Sequence, residues 1–497
     1  MNRRTCLWAA AASSLILGAC DKNNPATTDA APAVSVTAQP ATADAASAPG
    51  AVTILVTADE NGYLLPQDSA KKGGAAQILG VWKTEDHHAT GSSSPTLALS
   101  TGDHWAGSSI SAFYSGEPMA EAMASMGYAA SGLGNHEFDF GRDQFKKNQG
   151  KAGFPTIASN VGATDDAAKA LKLEPFHVFE RSGLKIGVIA LSTIDNPRTA
   201  MAGRFEGLKV AAYEDSLATV VPAVWAKEAD AIIVLADECP TVLAPIVEKH
   251  ADWNLTAVVG GHCRAPVDAK AGKVLLLSPA KHLQGFARVK LAFDATKPAK
   301  QKVTSVTGQI VDVSASAVTP DAELGKSLDA LKKKNEATLG EEIGTTAAGI
   351  KAGSPEMSRW IAGSIRESLK VDAAIVNKKG IRQDLPAGKI TKGSVYAVLP
   401  FENAVVTLKL KGSDLQAALA NQNILADGPK GKIDPAKVYD VATLDYLYFG
   451  GDGLELEKAD KEPGETGRVW QTPVIEWTKK QASDDKKPIE KSLPSAK

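Results

Sequence analysis

Residues 132–141 read GLGNHEFDFG. A hydrophobic approach ends in a glycine turn, and an amide, an imidazole and two carboxylates (Asn135, His136, Glu137 and Asp139) then arrive within five positions. A loop that merely connects elements has no use for such a cluster. Working outward, other apolar runs end in a similar way: VTILVTAD (52–59), TLALSTGD (96–103), PTIASNV (155–161), KIGVIALST (185–193), AIIVLADE (231–238), LTAVVGGH (255–262) and VLLLSPA (274–280). Several stop at Asp, Asn or His. Buried strands alternating with helical stretches indicate an α/β layered domain. In such folds a ligand sits beyond the carboxyl ends of the strands.

At 497 residues the chain is too long for one ordinary core, and two domains are expected. Hydrophobic content of 44% and charged content of 23% are those of a soluble globular protein. A net charge of -2 gives no electrostatic case for nucleic acid, which is bound by a basic excess. The opening MNRRTCLWAAAASSLILGAC has a basic start and an apolar stretch shorter than the ~20 residues of a spanning helix. It reads as a signal segment, 1–20. Its end, LGAC, resembles the lipobox of bacterial lipoproteins and would make Cys20 a lipidated residue. Residues 21–50, rich in Ala, Pro, Thr, Ser and Asp, read as a tether.

The polar strand ends collect into one set: Asp59, Asp103, Asn135, His136, Asp237 and His262. Carboxylates, an amide oxygen and imidazoles on one rim suit divalent ions. In this order the set resembles the calcineurin-like metallophosphoesterases, in particular the bacterial 5′-nucleotidase and UDP-sugar hydrolase family, over residues 51–478. The resemblance implies a four-layer αββα metallophosphoesterase domain (51–320), a connecting helix (321–342), a smaller α/β substrate domain (343–478) and a charged tail (479–497) read as disordered. It also implies roles. Asp103 would bridge two metals, Asp59 and Asn61 would belong to the first, and Asn135, Asp237 and His262 to the second. His136 would face the phosphoryl group, with Asp139 orienting it. The ions would be Mn²⁺, Zn²⁺ or Mg²⁺, one or two per chain.

Three positions depart from the family pattern: Asn61 and Asp237 stand where it has histidines, and Arg264 where it has His or Gln. Arg264 has no lone pair to offer a metal. Ligand count therefore favours the site of Asp103, Asn135, Asp237 and His262. In the second half NKKGIR, LPFENAV and DYLYFGGDG resemble the family's substrate motifs. These would give Arg382 to a phosphate, Phe401 and Tyr446 to a stacked base, Asn403 to the base edge and Asp452 to the ribose. Cys239 and Cys263 could complete a zinc site or bridge two strand ends; two small buried residues is the simpler reading. His104 and the pair His87-His88 read as loop residues.

The resemblance implies a monomeric, lipid-anchored envelope hydrolase of nucleotide phosphoesters, with no nucleic-acid partner. Two alternatives stay open. One is a catalytically impaired homologue that binds nucleotides; the other is the same fold acting on another phospho- or sulfo-compound.

Overall fold

Alternation along single strands sorts the side chains of the first domain into separate cores. In Ala51–Thr57, Val52, Ile54 and Val56 enter one core while Leu55 enters another. In Leu184–Leu191, Ile186, Val188 and Ala190 join the first of these, and Ile189 and Leu191 turn the opposite way. Strands covered on both faces read as continuous apolar runs, which is why these runs stood out. The computed structural model describes residues 50–494 apart from 67–71, 90, 92–93, 197–199, 201–203, 264, 402, 430 and 486.

The resulting order is helix, sheet, sheet, helix. A five-stranded sheet runs Val303–Asp312, Gly285–Phe293, Ala51–Thr57, Thr96–Ser100, Tyr128–Ser131. A six-stranded sheet runs Val267–Ala271, Val274–Ser278, Ala257–Gly260, Ala231–Ala236, Leu184–Leu191, His177–Arg181. Helices Ala75–Glu85 and Glu117–Met126 cover the first sheet, and helices Tyr213–Ala226 and Pro240–Lys249 cover the second. The run 155–161 departs from expectation: it forms isolated bridges, Ser131 with Thr156 and Ile157 with Glu174, and the strand begins only at Val161.

Parallel register sets where the loops emerge. Thr57 pairs with Ser100, and Ser100 with Ser131. In the other sheet Leu191 pairs with Ala236, and Ala236 with Gly260. Asp59, Asp103 and Asn135 therefore leave one sheet, and Asp237 and His262 the other, each just past a carboxyl end.

Helix Ala322–Leu339 starts at Asp321, whose side chain accepts the Leu324 N–H at 2.9 Å, an N-cap worth about 1 kcal/mol. Leu324 and Leu328 are buried with the Ala75–Glu85 helix. Beyond it a five-stranded sheet runs Ile424–Asp427, Ala373–Asn377, Val438–Leu444, Ala404–Lys411, Gly464–Val469. Ala374 and Val376 face one core, Ala373 and Ile375 the other. Phe140 of the NHEFDFG loop packs against the first of these cores.

The tail departs from its reading as disordered. Helix Gln471–Asp485 runs through residue 478, and Ile489 and Leu493 are buried in the C-terminal core. The Glu490 carboxylate accepts the Ala348 N–H at 3.1 Å. Apolar residues four apart within a charged segment are enough to dock it.

Candidate active site

Four expected ligand residues share an uncommon backbone. Asp59, Asn61, Asp103 and His262 have φ of +48°, +44°, +63° and +57°. A left-handed residue other than glycine costs roughly 1–2 kcal/mol, and such strain gathers where function demands fixed geometry. Here hydrogen bonds beyond the strand ends sustain it. Asp59 N–H donates to Gly102 O (3.3 Å), Asn61 N–H to Asp103 O (2.8 Å) and Gly62 N–H to His104 O (2.7 Å). Two glycines make room for the carboxylates: a Cβ on Gly134 would lie 2.1 Å from Asp103 Oδ1, and one on Gly261 2.9 Å from Asp59 Oδ1.

Donor atoms of Asp103, Asp237 and His262 lie within 4.8 Å of one another. Asp237 is fully buried, and among the described residues the group that faces it is His262, whose Nδ1 is 3.5 Å from Oδ1. Asp59 joins through Oδ2, which accepts the His262 N–H at 2.8 Å. Asn135 is buried alongside, and the N–H of the next residue, His136, donates to Asp103 Oδ1 at 2.9 Å. A buried carboxylate without compensation costs several kcal/mol. A divalent cation is the compensation that this oxygen and nitrogen set fits. Asn61 is engaged differently: its Nδ2 donates to Asp103 O at 3.2 Å.

His136 lies beside this cluster. Its Nδ1 meets Asp139 Oδ2 at 2.8 Å, which fixes the ring and leaves Nε2 for a ligand. The imidazole stacks on Phe401 at 5.2 Å and 14°, and the Arg382 guanidinium is 5.3 Å from the same ring centre. The structure thus brings Arg382 and Phe401 to His136. Phe401 is only 7% exposed, with His136 and Arg382 against its ring. The other expected substrate residues sit apart from that stack. Asn403 Nδ2 donates to Asp445 Oδ1 at 3.0 Å. Tyr446 packs on Gly451, and its hydroxyl accepts the Asp452 N–H at 3.3 Å. Asp452, with φ of +51°, keeps a buried Oδ2 that no hydrogen bond reaches.

Sequence reasoning missed several neighbours. His104 is buried: its Nδ1 meets Glu60 Oε2 at 2.8 Å, and its N–H donates to Glu137 Oε1 at 3.0 Å. His88 is buried as well, between Thr96 Oγ1 (2.6 Å) and Met126 O (2.8 Å). Glu137 was visible inside NHEFD, but nothing in the pattern marked Glu60 as its counterpart. The reading of Cys239 and Cys263 as two separate buried residues is corrected: they form a disulfide. Arg264 and Cys20 lie outside the described residues.

Residues 337–432 match the family model described as "5'-nucleotidase, C-terminal domain". The chain is 26% identical over 486 residues to protein UshA of Yersinia enterocolitica, covering 81% of this chain and 86% of that protein. It is 26% identical over 464 residues to a 5′-nucleotidase of Vibrio parahaemolyticus, covering 82% and 78%. Over most of its length the chain is similar to 5′-nucleotidases and UshA proteins. Its fold matches that of a 5′-nucleotidase precursor from Thermus thermophilus with a TM-score of 0.72 at 21% identity, over 86% of this chain and 96% of that one.

Burial and the crowding of like charges set the site's electrostatics. Burial, then Asp103 and Asp237, push Asp59 up to about 7. Burial and Asp103 push Asp237 up to about 6. The contact with Asp237, backed by Asp103 and Asp59, raises His262 to about 10 against its burial. Burial works against the His136 imidazolium too, but Asp139 and Asp103 prevail and raise it to about 9. All four values lie above those of the unfolded chain. The folded state therefore binds the extra protons, and that stabilisation is lost as pH rises. The window runs from about pH 4 to 7 for the acids and from about 6.5 to 10 for the imidazoles. Metal-free protein should melt progressively lower between pH 5 and pH 9. Added Mn²⁺ should raise the melting temperature most at the alkaline end, because metal and protons compete. Melting curves with chelator and with Mn²⁺ test this; a metal-free profile that rises with pH contradicts it.

Proposed function

We propose that the protein is a divalent-metal-dependent hydrolase of nucleotide phosphoesters. The observation that carries this reading is the Asp103, Asp237 and His262 cluster set beside the His136–Asp139 pair, with Arg382 of the second domain over Phe401, the ring on which that imidazole stacks. Asp103, Asn135, Asp237 and His262 would hold one ion, and Asp59, Asn61 and Asp103 a second. A bound ion supplies a Lewis acid and lowers the pKa of a bound water. In the reaction water oxygen adds to phosphorus, the phosphoester P–O bond breaks, and the leaving oxygen takes a proton. Asp139 holds His136 with Nε2 toward the substrate, where it stabilises negative charge or gives that proton. Arg382 balances phosphate charge from the opposite domain.

The test is metal titration of chelated protein with Mn²⁺, Zn²⁺ and Mg²⁺, alongside phosphate release from AMP and a UDP-sugar. One equivalent should bind more tightly than the second, since Asn61 is a poor ligand already engaged with Asp103 O. Release should appear with metal and vanish with chelator. A metal-loaded protein that binds AMP without releasing phosphate would establish the second reading, a nucleotide-binding homologue, which the altered position Asn61 favours.

The envelope location belongs to this reading. The LGAC end of the opening segment supports lipidation at Cys20, and a structural disulfide is what oxidising compartments preserve. Among the described residues no helix is long and apolar enough to cross a membrane. Mass spectrometry of the protein purified from a bacterial host should find an acylated Cys20 at the amino terminus, and an unmodified longer chain would refute it.

A further inference from the structure

Three of the loops that carry expected metal ligands also carry a buried ionisable side chain that the proposed chemistry leaves idle. Glu60 lies between Asp59 and Asn61, His104 follows Asp103, and Glu137 follows His136. Each is at most 1% exposed. Their contacts join the loops in series. Glu60 returns to the strand ends, where its Oε1 accepts the Thr57 hydroxyl and, at 2.8 Å, the Ser100 hydroxyl. Thr57 and Ser100 are themselves register partners on adjacent strands. Glu60 Oε2 meets His104 Nδ1 at 2.8 Å; a carboxylate accepts, so this nitrogen carries the ring proton. The His104 main-chain N–H then donates to Glu137 Oε1 at 3.0 Å. Trp105 packs against the edge of the imidazole at 4.8 Å and 76°. The other ring nitrogen is not used in this way: Nε2 is 3.8 Å from Glu137 Oε1, beyond hydrogen-bond range.

Packing alone does not call for these residues. Two carboxylates and an imidazole are costly to bury, and apolar side chains of similar volume fill the same space at lower cost. What directional contacts add is a fixed separation between the elements they join. Here those elements are the ligand loops. The first loop meets the second through Asn61 N–H on Asp103 O and Gly62 N–H on His104 O. The third meets the second through His136 N–H on Asp103 Oδ1 and through Glu137 on the His104 N–H. The contact on Asp103 Oδ1 draws on a carboxylate that the metal site needs. The contacts of Glu60, His104 and Glu137 hold the loops without drawing on any ligand atom.

We propose that Glu60, His104 and Glu137 act together as positioning residues that set the spacing of the three loops, and with it the affinity and coordination geometry of the metal site. The inference rests on the metal-site reading and deepens it.

The test uses the full chain with Co²⁺, measuring affinity by competition with a chelator and geometry by the visible spectrum of the bound ion. The variants are His104→Asn, His104→Gln, His104→Leu, Glu60→Ala and the Glu60→Ala/His104→Leu double. Asn places an amide N–H near the position of Nδ1 and can still reach Glu60. Gln places it near Nε2, and Leu only fills space. Removing one partner of a buried pair lowers stability, so each variant is measured at a temperature where its melting curve shows it folded. Asn should keep most of the parent's affinity and its spectrum. Gln, Leu and Glu60→Ala should each bind about 10–100-fold more weakly with an altered spectrum. The double variant should lose no more than the weaker single, because both singles break the same contact. An affinity that follows volume, with Leu equal to Asn, overturns the proposal, as does unchanged affinity throughout. A parent that binds no Co²⁺ and no Mn²⁺ sinks the metal-site reading instead. The imidazole NMR signals of His136 and His262 in the metal-free chain then decide: they should move in His104→Leu and hold in His104→Asn, and an equal response in both variants overturns the proposal.

Discussion

A His136→Ala enzyme should turn over about 10²–10³-fold more slowly than its parent while keeping its metal content. That is the usual cost of removing one preorganised group that stabilises developing charge. The geometry separates the two functions within adjacent residues. The His136 backbone N–H donates to Asp103 Oδ1, so the main chain serves the metal cluster and survives truncation to alanine. The side chain points elsewhere, with Nδ1 on Asp139 and the ring stacked on Phe401. Asp139 is almost fully buried, so it holds one tautomer firmly. An Asp139→Asn variant should fall part of the way, with the imidazole present but less well oriented. Metal analysis beside steady-state kinetics checks this. Loss of metal from His136→Ala would make His136 a ligand, and unchanged turnover would remove it from the chemistry.

Why the fold was legible in the sequence follows from the same alternation that built it. Strands such as Ala231–Ala236 are buried on both faces, so no polar residue interrupts them until the carboxyl end, where Asp237 appears. Such terminal residues stood out because little but chemistry favours them there, and three of them, Asp59, Asp103 and His262, adopt the left-handed backbone. Glu60 and His104 were not legible. Their pairing depends on two loops lying side by side, and each residue alone looks like a solvated loop side chain. Similarly, Tyr63 and His282 are 219 positions apart in the numbering and meet only because both loops rise from the same end of the sandwich. The tail was misread for a different reason. In KKPIEKSLPS the charges dominate the composition, but the buried pair Ile489 and Leu493 decides the structure.

Reducing the Cys239–Cys263 disulfide should weaken metal binding and lower stability together, and the parallel register explains why. Ala236 pairs with Gly260, and the two cysteines lie three residues beyond that pair on their respective chains. The bridge thus ties together two loops just past the strand ends, and these loops carry Asp237 and His262, whose charged groups are 3.5 Å apart. Closing a loop with a sequence separation of 24 removes chain entropy from the unfolded state equivalent to about 3.5 kcal/mol. That term acts on folding alone. A second effect acts on the site: without the bridge the His262 backbone, with φ of +57°, is held chiefly by its N–H to Asp59. Losing a group that orients metal ligands typically costs about 10–100-fold in metal affinity. A Cys239→Ser/Cys263→Ser variant should therefore show both a lower denaturant midpoint and, at a temperature where it is fully folded, a metal affinity weaker by about that factor. Competition against a fluorescent chelator measures the affinity. Parent protein treated with reductant should match the variant, and reoxidation should restore it. A folded variant that binds metal as tightly as the parent would confine the disulfide to stability and separate it from the site.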